Sequence, residues 1–314
     1  MAEAPFFAPD KDWDNELEKY LKENKTLAYM MLKKSEEFAG YPALVQKNRD
    51  NEWEKISWDT FGEKIKAIAR ALIDEGIQPG DMCSIFSQNR AEWAISDLGI
   101  LATRAVCVPI YATNSIEEAE YIINDAGVKV IFTGNQEQYD KAKSIMRENS
   151  FLKMIVAFDR DTVISGGNSL YFDDLVKKGG TAGNDAEFEA RLNTVNPDDI
   201  LTLIYTSGTT GKPKGAIHTH RSFMCGMYPA YMRFPESYVD KVSLAILPLS
   251  HVFERMWSYG CMSSGVQIAY CPDPKQFVDV MAAIKPHYMT SVPRIWEKVY
   301  GTIFEKLKTA SPVK

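Results

Sequence analysis

Short apolar runs separated by helical patterns recur along most of this 314-residue chain, and that alternation restricts the fold more than any other feature. Runs at 82–87, 106–110 and 128–132 read as strands, with helices over 91–102 and from a Ser115/Glu118 capping box to Gly127 between them. A helix over 136–148 and a strand over 153–158 extend the series. Short strands at 43–45 and 55–58 precede it. The helix after them opens on a Thr60/Glu63 capping box, carries Phe61, Ile65, Ile68, Leu72 and Ile73 on its apolar face, and stops at Gly76. The same order returns later: strands at 242–247, 266–270 and 288–291, helices at 252–262 and 274–284, then a last helix at 294–307. Strands that alternate with helices pair in parallel, because parallel neighbours need a crossover long enough to hold a helix. The expected fold class is therefore α/β: two similar, mainly parallel βαβαβ sheets flanked by helices. The Gly- and Asp-rich stretch 159–185 reads as loops around one short helix at 171–177, and the first 40 residues as an arm containing a helix. This divides the chain into an N-terminal α/β subdomain with its helical arm, 1–190, and the incomplete start of a second, 191–314.

Between the two series lies an unusual string, Tyr205-Thr206-Ser207-Gly208-Thr209-Thr210-Gly211-Lys212-Pro213-Lys214-Gly215, with strand-like runs at 200–204 and 216–220 on either side. Thr206, Ser207, Thr209 and Thr210 bring hydroxyls, Gly208, Gly211 and Gly215 let backbone approach a ligand, and Lys212 and Lys214 add positive charge. A tight turn of such residues directs several N–H groups into one concavity, which suits a polyphosphate. A purely structural hairpin turn has no need of so many donors. A P-loop of the Walker A kind fails on spacing, since two residues separate Gly208 from Gly211 and Lys212 is followed by Pro213.

The whole eleven-residue string resembles the signature of the adenylate-forming enzymes: acyl-CoA synthetases, peptide-synthetase adenylation domains and luciferases. Two further strings narrow the resemblance. Leu247-Pro248-Leu249-Ser250-His251-Val252-Phe253-Glu254-Arg255 leaves a strand and enters a helix, and Ser291-Val292-Pro293-Arg294-Ile295-Trp296-Glu297-Lys298-Val299-Tyr300 does the same. Both look like the long-chain fatty acyl-CoA synthetase branch, so the fold expected is the N-terminal domain type of those enzymes. The resemblance implies ATP, Mg²⁺, a fatty acid and CoA as ligands. It implies attack of the carboxylate on the α-phosphate, release of pyrophosphate, and displacement of AMP by the CoA thiol. On this reading Ser207, Gly208, Thr209, Thr210, Gly211, Lys212, Lys214 and Gly215 hold the phosphates, Thr206 meets Mg²⁺, and His251 borders the carboxylate as the catalytic candidate. His251 otherwise reads as a core histidine bonded to backbone, and Glu254 with Arg255 as a solvated pair on a helix face. His218 and His220 share one face of a strand, yet no Cys, Asp or Glu accompanies them at ligand spacing. The Met- and aromatic-rich run 223–234 reads as core, or as an adaptable channel for an acyl chain.

The resemblance covers about the first half of a complete family member. The later motifs for adenine, ribose and the Mg²⁺ glutamate, and the small C-terminal domain with its lysine, have no counterpart here. The chain is therefore expected to be a piece of a longer enzyme or a split gene product, inactive or weakly active alone, with a missing C-terminal half as partner. The last helix, with Ile295, Val299, Ile303 and Leu307 on one side, wants cover. Two alternatives stay open: an adenylating ligase for another acid, and a non-catalytic ATP- or acyl-binding module or assembly half. A net charge of −6 without a basic stripe argues against nucleic acid. Five scattered cysteines without a C-x-x-C read as a reduced cytosolic protein, and no signal peptide or membrane-spanning run is visible. Peripheral membrane contact and a homodimer are left open.

Overall fold

The structure, a computed structural model, describes residues 12–206, 212–233 and 238–309. Its elements run α1 Trp13–Asn24, α2 Leu27–Glu37, β1 Pro42–Lys47, β2 Trp53–Ser57, α3 Trp58–Asp74, β3 Met82–Phe86, α4 Ala91–Ala102, β4 Val106–Ile110, α5 Ile116–Ala126, β5 Val128–Thr133, α6 Gln136–Glu148, β6 Met154–Ala157, β7 Ser169–Tyr171, α7 Phe172–Gly180 and α8 Asp185–Thr194. They continue with β8 Ile200–Thr206, β9 Lys214–Thr219, α9 His220–Arg233, β10 Val242–Ala245, α10 Val252–Met262, β11 Gln267–Tyr270, α11 Phe277–Ile284, β12 Tyr288–Met289 and α12 Pro293–Thr309.

Two sheets result, as the alternation requires. One has the order β7-β6-β5-β3-β4-β8-β9, parallel except for its last strand, and the other β12-β10-β11-β1-β2, parallel except for β2. Neither sheet is confined to one side of residue 190: β8 and β9 close the first, and β1 and β2 edge the second. The inner strands β3, β4, β5 and β6 of the seven-stranded sheet are apolar on both faces, and their side chains alternate between two cores. Cys83, Ile85, Cys107, Val130 and Phe132 point into the central core, whereas Phe86, Val108, Ile110 and Ile131 point into an outer one against α5 and α6. The central core also takes Leu44, Ala245, Ile268 and Tyr270 from the second sheet, with the apolar faces of α2, α3, α4, α9 and α10 between. A third core packs the far face of that sheet against α11 and α12. The architecture is thus five layers, helix–sheet–helix–sheet–helix.

Several local expectations are met. Ser115 and Glu118 form a reciprocal capping box on α5, and Gly127 ends that helix in the left-handed region. Others are corrected. The cap of α3 is Ser57, whose hydroxyl accepts the Thr60 N–H, so Thr60 lies within the helix. The arm holds two helices, joined at Lys25. The stretch 159–185 contributes an edge strand, β7, and a helix that buries Phe172, Leu175 and Gly179, while α8 follows it. In the Met- and aromatic-rich helix α9, Phe223, Met224 and Met227 are core, and the rings of Tyr228 and Tyr231 meet Tyr20 of α1 at a tilt. Among the described residues no helix is long and apolar enough to cross a membrane.

Candidate functional site

The carboxyl ends of parallel strands gather between the two sheets, where crossovers turn away and leave space. A cleft of about 640 Å³ lies there, lined by Ser87, Gln88 and Asn89 after β3, Tyr111 to Thr113 after β4, Ile246 and Pro248 after β10, and Cys271 to Pro274 after β11. Strand β8 runs parallel to β4, so Thr206, its last residue, lies at this same edge.

Of the residues expected to hold phosphates, Ser207, Gly208, Thr209, Thr210 and Gly211 lie outside the described residues. The loop's two ends are described. Thr206 pairs with Lys214 across the β8–β9 hairpin, and Tyr205 with Gly215. Thr206, Lys212 and Lys214 are exposed. Gly215 has a packing reason to lack a side chain, because a Cβ there would sit 3.3 Å from Cζ of the Tyr205 ring. That ring is fixed in turn. Its hydroxyl donates to Asp125 Oδ2 at 2.6 Å, and Tyr121 meets it edge-on with centroids 6.3 Å apart. Lys212 Nζ lies 5.2 Å from the centroid of Tyr121.

His251 is exposed at the N-cap of α10, where its Nδ1 accepts the Phe253 N–H at 3.2 Å. Among the described residues no hydrogen bond joins it to Thr206, Lys212, Lys214 or Gly215. The reading of Glu254 and Arg255 as a solvated pair is overturned, because both side chains are fully buried and face different partners. Glu254 turns back to accept the Leu247 N–H at 3.1 Å and the Ser258 hydroxyl, and burial pushes its carboxyl up to about 8. Arg255 grips Asp97 of α4 with two nitrogens, at 2.9 and 2.5 Å, and donates a third bond to the Thr202 hydroxyl of β8 at 2.9 Å. The Thr202 hydroxyl in turn donates to the Cys107 carbonyl of β4, and the Tyr259 hydroxyl donates to Asp97, both at 2.6 Å. The helix of the second string is therefore bolted to the strand that leads into the loop. His218 stands on β9 opposite Thr202, while His220 opens α9, buried, with burial lowering it to about 4. The described residues contain no cluster of three His, Cys, Asp or Glu suited to a metal ion.

Sequence reasoning missed Asn89. Its amide donates to the Ala245 and Leu247 carbonyls, at 3.3 and 2.7 Å, and accepts the Leu249 N–H at 2.8 Å. It thereby ties the end of β3 to the end of β10 across the cleft. The signal was its place, in the polar Ser87-Gln88-Asn89 run at a carboxyl strand end. Asp97 and Asp125 gave less, being acids within helices with no motif around them.

Seven strands closed by the β8–β9 hairpin, facing a second, mainly parallel sheet across a cleft at their carboxyl ends, define a two-sheet α/β domain. The chain belongs to the AMP-binding enzyme family, which it matches over residues 32–313. It is 33% identical over 286 residues to the long-chain-fatty-acid–CoA ligase FadD15 of Mycobacterium bovis, a match covering 89% of this chain and 46% of that protein. It is 30% identical over 291 residues to human long-chain-fatty-acid–CoA ligase 1, covering 85% of this chain and 40% of the relative. The chain thus spans less than half the length of these relatives. Its fold is that of the N-terminal domain of adenylate-forming enzymes. The A-PCP didomain of carboxylic acid reductase from Segniliparus rugosus in complex with AMP matches it with a TM-score of 0.78, at 20% identity over 91% of this chain and 45% of that one.

Proposed function

We propose that the chain is the N-terminal part of an AMP-forming long-chain fatty acid–CoA ligase, and that its own share of the work is to hold ATP phosphates and border the acid. The observation that carries this is the β8–β9 hairpin, set at the carboxyl edge beside the intersheet cleft, in a chain that resembles fatty acid–CoA ligases along most of its length. Transfer of the adenylyl group of ATP to a carboxylate relies on positioning and on charge stabilisation as pyrophosphate departs. Thr206, Ser207, Gly208, Thr209, Thr210, Gly211 and Gly215 would supply hydroxyl and backbone donors to the phosphates, and Lys212 and Lys214 their countercharge. Thr206, exposed at the strand end, fits as one oxygen for a Mg²⁺ that the triphosphate itself carries, since Mg²⁺ keeps most of its ligands as water and phosphate. His251 is assigned to the carboxylate from the resemblance of its string, and it shares a turn with the cleft-lining Pro248.

The test is ATP–pyrophosphate exchange with palmitate, run on the complete gene product and on this chain. The pair Thr209→Ala with Lys212→Ala should lower exchange by the complete enzyme by roughly 100-fold or more. Unchanged exchange would sink the assignment. A panel of aryl, amino and short-chain acids reports the acid class. For this chain alone the expected result is a rise in melting temperature with ATP concentration and little or no exchange.

A further inference from the structure

We propose that helix α5 positions the phosphate-facing lysine: Tyr121 holds Lys212 on its ring, and Asp125 fixes the Tyr205 ring that closes the hairpin from the same side. The inference rests on the reading of the loop given above and extends it to residues outside the loop.

The geometry is that of a stack of three anchored side chains. Asp125 receives the Tyr205 hydroxyl at 2.6 Å, Tyr205 lies against the bare backbone of Gly215, Tyr121 stands perpendicular to Tyr205 at 89°, and Lys212 Nζ is 5.2 Å from the Tyr121 centroid. Tyr121 and Asp125 sit four apart on α5, hence on one face. That face therefore meets the hairpin twice, at the residue before Thr206 and at the first described residue after the loop. A lysine on a bare surface has a flexible four-carbon stem to immobilise when it meets an anion. With its Nζ held over the Tyr121 ring, Lys212 has its side chain confined beforehand, and a ligand anion loses less affinity to ordering it. Tyr121 is thus a positioning residue, acting through Lys212, and Lys212 is the group that meets the phosphates.

The test is a double-mutant cycle in ATP affinity, measured by titration calorimetry of this chain with ATP and Mg²⁺. Tyr121→Leu should weaken ATP about two- to fivefold, the range of an exposed cation–π contact. Tyr121→Phe, which keeps the ring, should restore most of that affinity. In a Lys212→Ala background Tyr121→Leu should add no further loss, because the lysine it positions is gone. Additive losses, or Phe as weak as Leu, would overturn the inference. A Lys212→Ala variant with unchanged affinity would instead refute the phosphate role of Lys212 itself, and the inference with it. Loss at Lys212 without coupling to Tyr121 refutes the inference alone.

Discussion

Substituting Asp97 by alanine should be among the most damaging single changes to this fold. The guanidinium of Arg255 is fully buried, and Asp97 supplies two of its three side-chain hydrogen bonds. Without the carboxylate, the charge keeps the Thr202 hydroxyl and the faces of Trp93 and Phe223, whose centroids lie 5.5 and 5.3 Å away. Tyr259 also loses its acceptor. Stranding one member of a buried ion pair costs about 3–5 kcal/mol. In a chain of this length each kcal/mol moves the midpoint by roughly 2 °C, so Asp97→Ala should melt about 6–10 °C below the parent. The loss comes from the stranded charge, and the pair's own worth is small. The triple variant Asp97→Leu, Arg255→Met, Tyr259→Phe should therefore recover most of it, with Thr202 still bonded to the Cys107 carbonyl. Calorimetric melts or urea titrations of parent, single and triple variants decide the matter. A single variant within about 1 kcal/mol of the parent, or a triple as unstable as the single, would refute the reasoning.

The carboxyl of Glu254, raised by burial to about 8, gives a signed pH dependence. The folded state holds the Glu254 proton above the ordinary carboxylate range while the unfolded chain releases it. Its contribution is thus fully present below about pH 4.5 and lost as pH rises to about 8, by up to about 1.4 kcal/mol per pH unit. Denaturant titrations of parent and Glu254→Gln across that window should show the variant gaining relative stability as pH rises; a constant difference contradicts the raised value. Asn89→Ala leaves the Leu249 N–H and two carbonyls without their partner, an expected loss of roughly 2–4 kcal/mol in the same titration. Asn89→Asp should be no better, since it keeps the acceptor but sets a charge against carbonyl oxygens. At Gly179 a Cβ would lie 1.7 Å from the Ala67 carbonyl oxygen, so Gly179→Ala must force α7 off α3, at about 3 kcal/mol read from the urea midpoint.

How far the fold could be read from the sequence followed from what each signal encodes. Strand–helix alternation encodes crossovers, and crossovers encode parallel pairing, so the bodies of both sheets were legible, with α4, β4, α6 and α10 at their observed bounds. Sheet membership at the edges was not. Nothing local tells β1 to pair with β11, more than two hundred residues later, or β8 to join β4. Helix α8 escaped because its few apolar residues, Phe188 and Leu192 among them, make too weak a stripe. The cap of α3 went to Ser57 over Thr60 because the hydroxyl that accepts the first free N–H is the one at the turn of the strand, and both hydroxyls then bond each other at 2.9 Å. The loop announced itself by composition. The residues that hold its ends did not, because Tyr121 and Asp125 are ordinary helix residues until topology brings them under the hairpin.

The string 247–255 shows why a motif's most recognisable residues need not be its chemical ones. Leu247 gives its carbonyl to Asn89 and its N–H to Glu254, and Leu249 gives its N–H to Asn89. Glu254 reaches back to brace the turn, and Arg255 locks the helix to α4 and β8. Each of these jobs consumes a polar group and buries it. Only Pro248, His251 and Phe253 remain exposed in the string. The buried members make the turn rigid and place it beside the cleft; the exposed ones are what it can present to a ligand. His251→Ala should therefore act differently from Arg255→Ala. Its Nδ1 caps the helix through one exposed bond to Phe253, so stability should fall by about 1 kcal/mol, against several for the buried arginine. In the complete enzyme the effect of His251→Ala on acid-dependent pyrophosphate exchange should exceed anything that small loss explains. Exchange that falls only in step with stability would return His251 to the cap and remove it from the site.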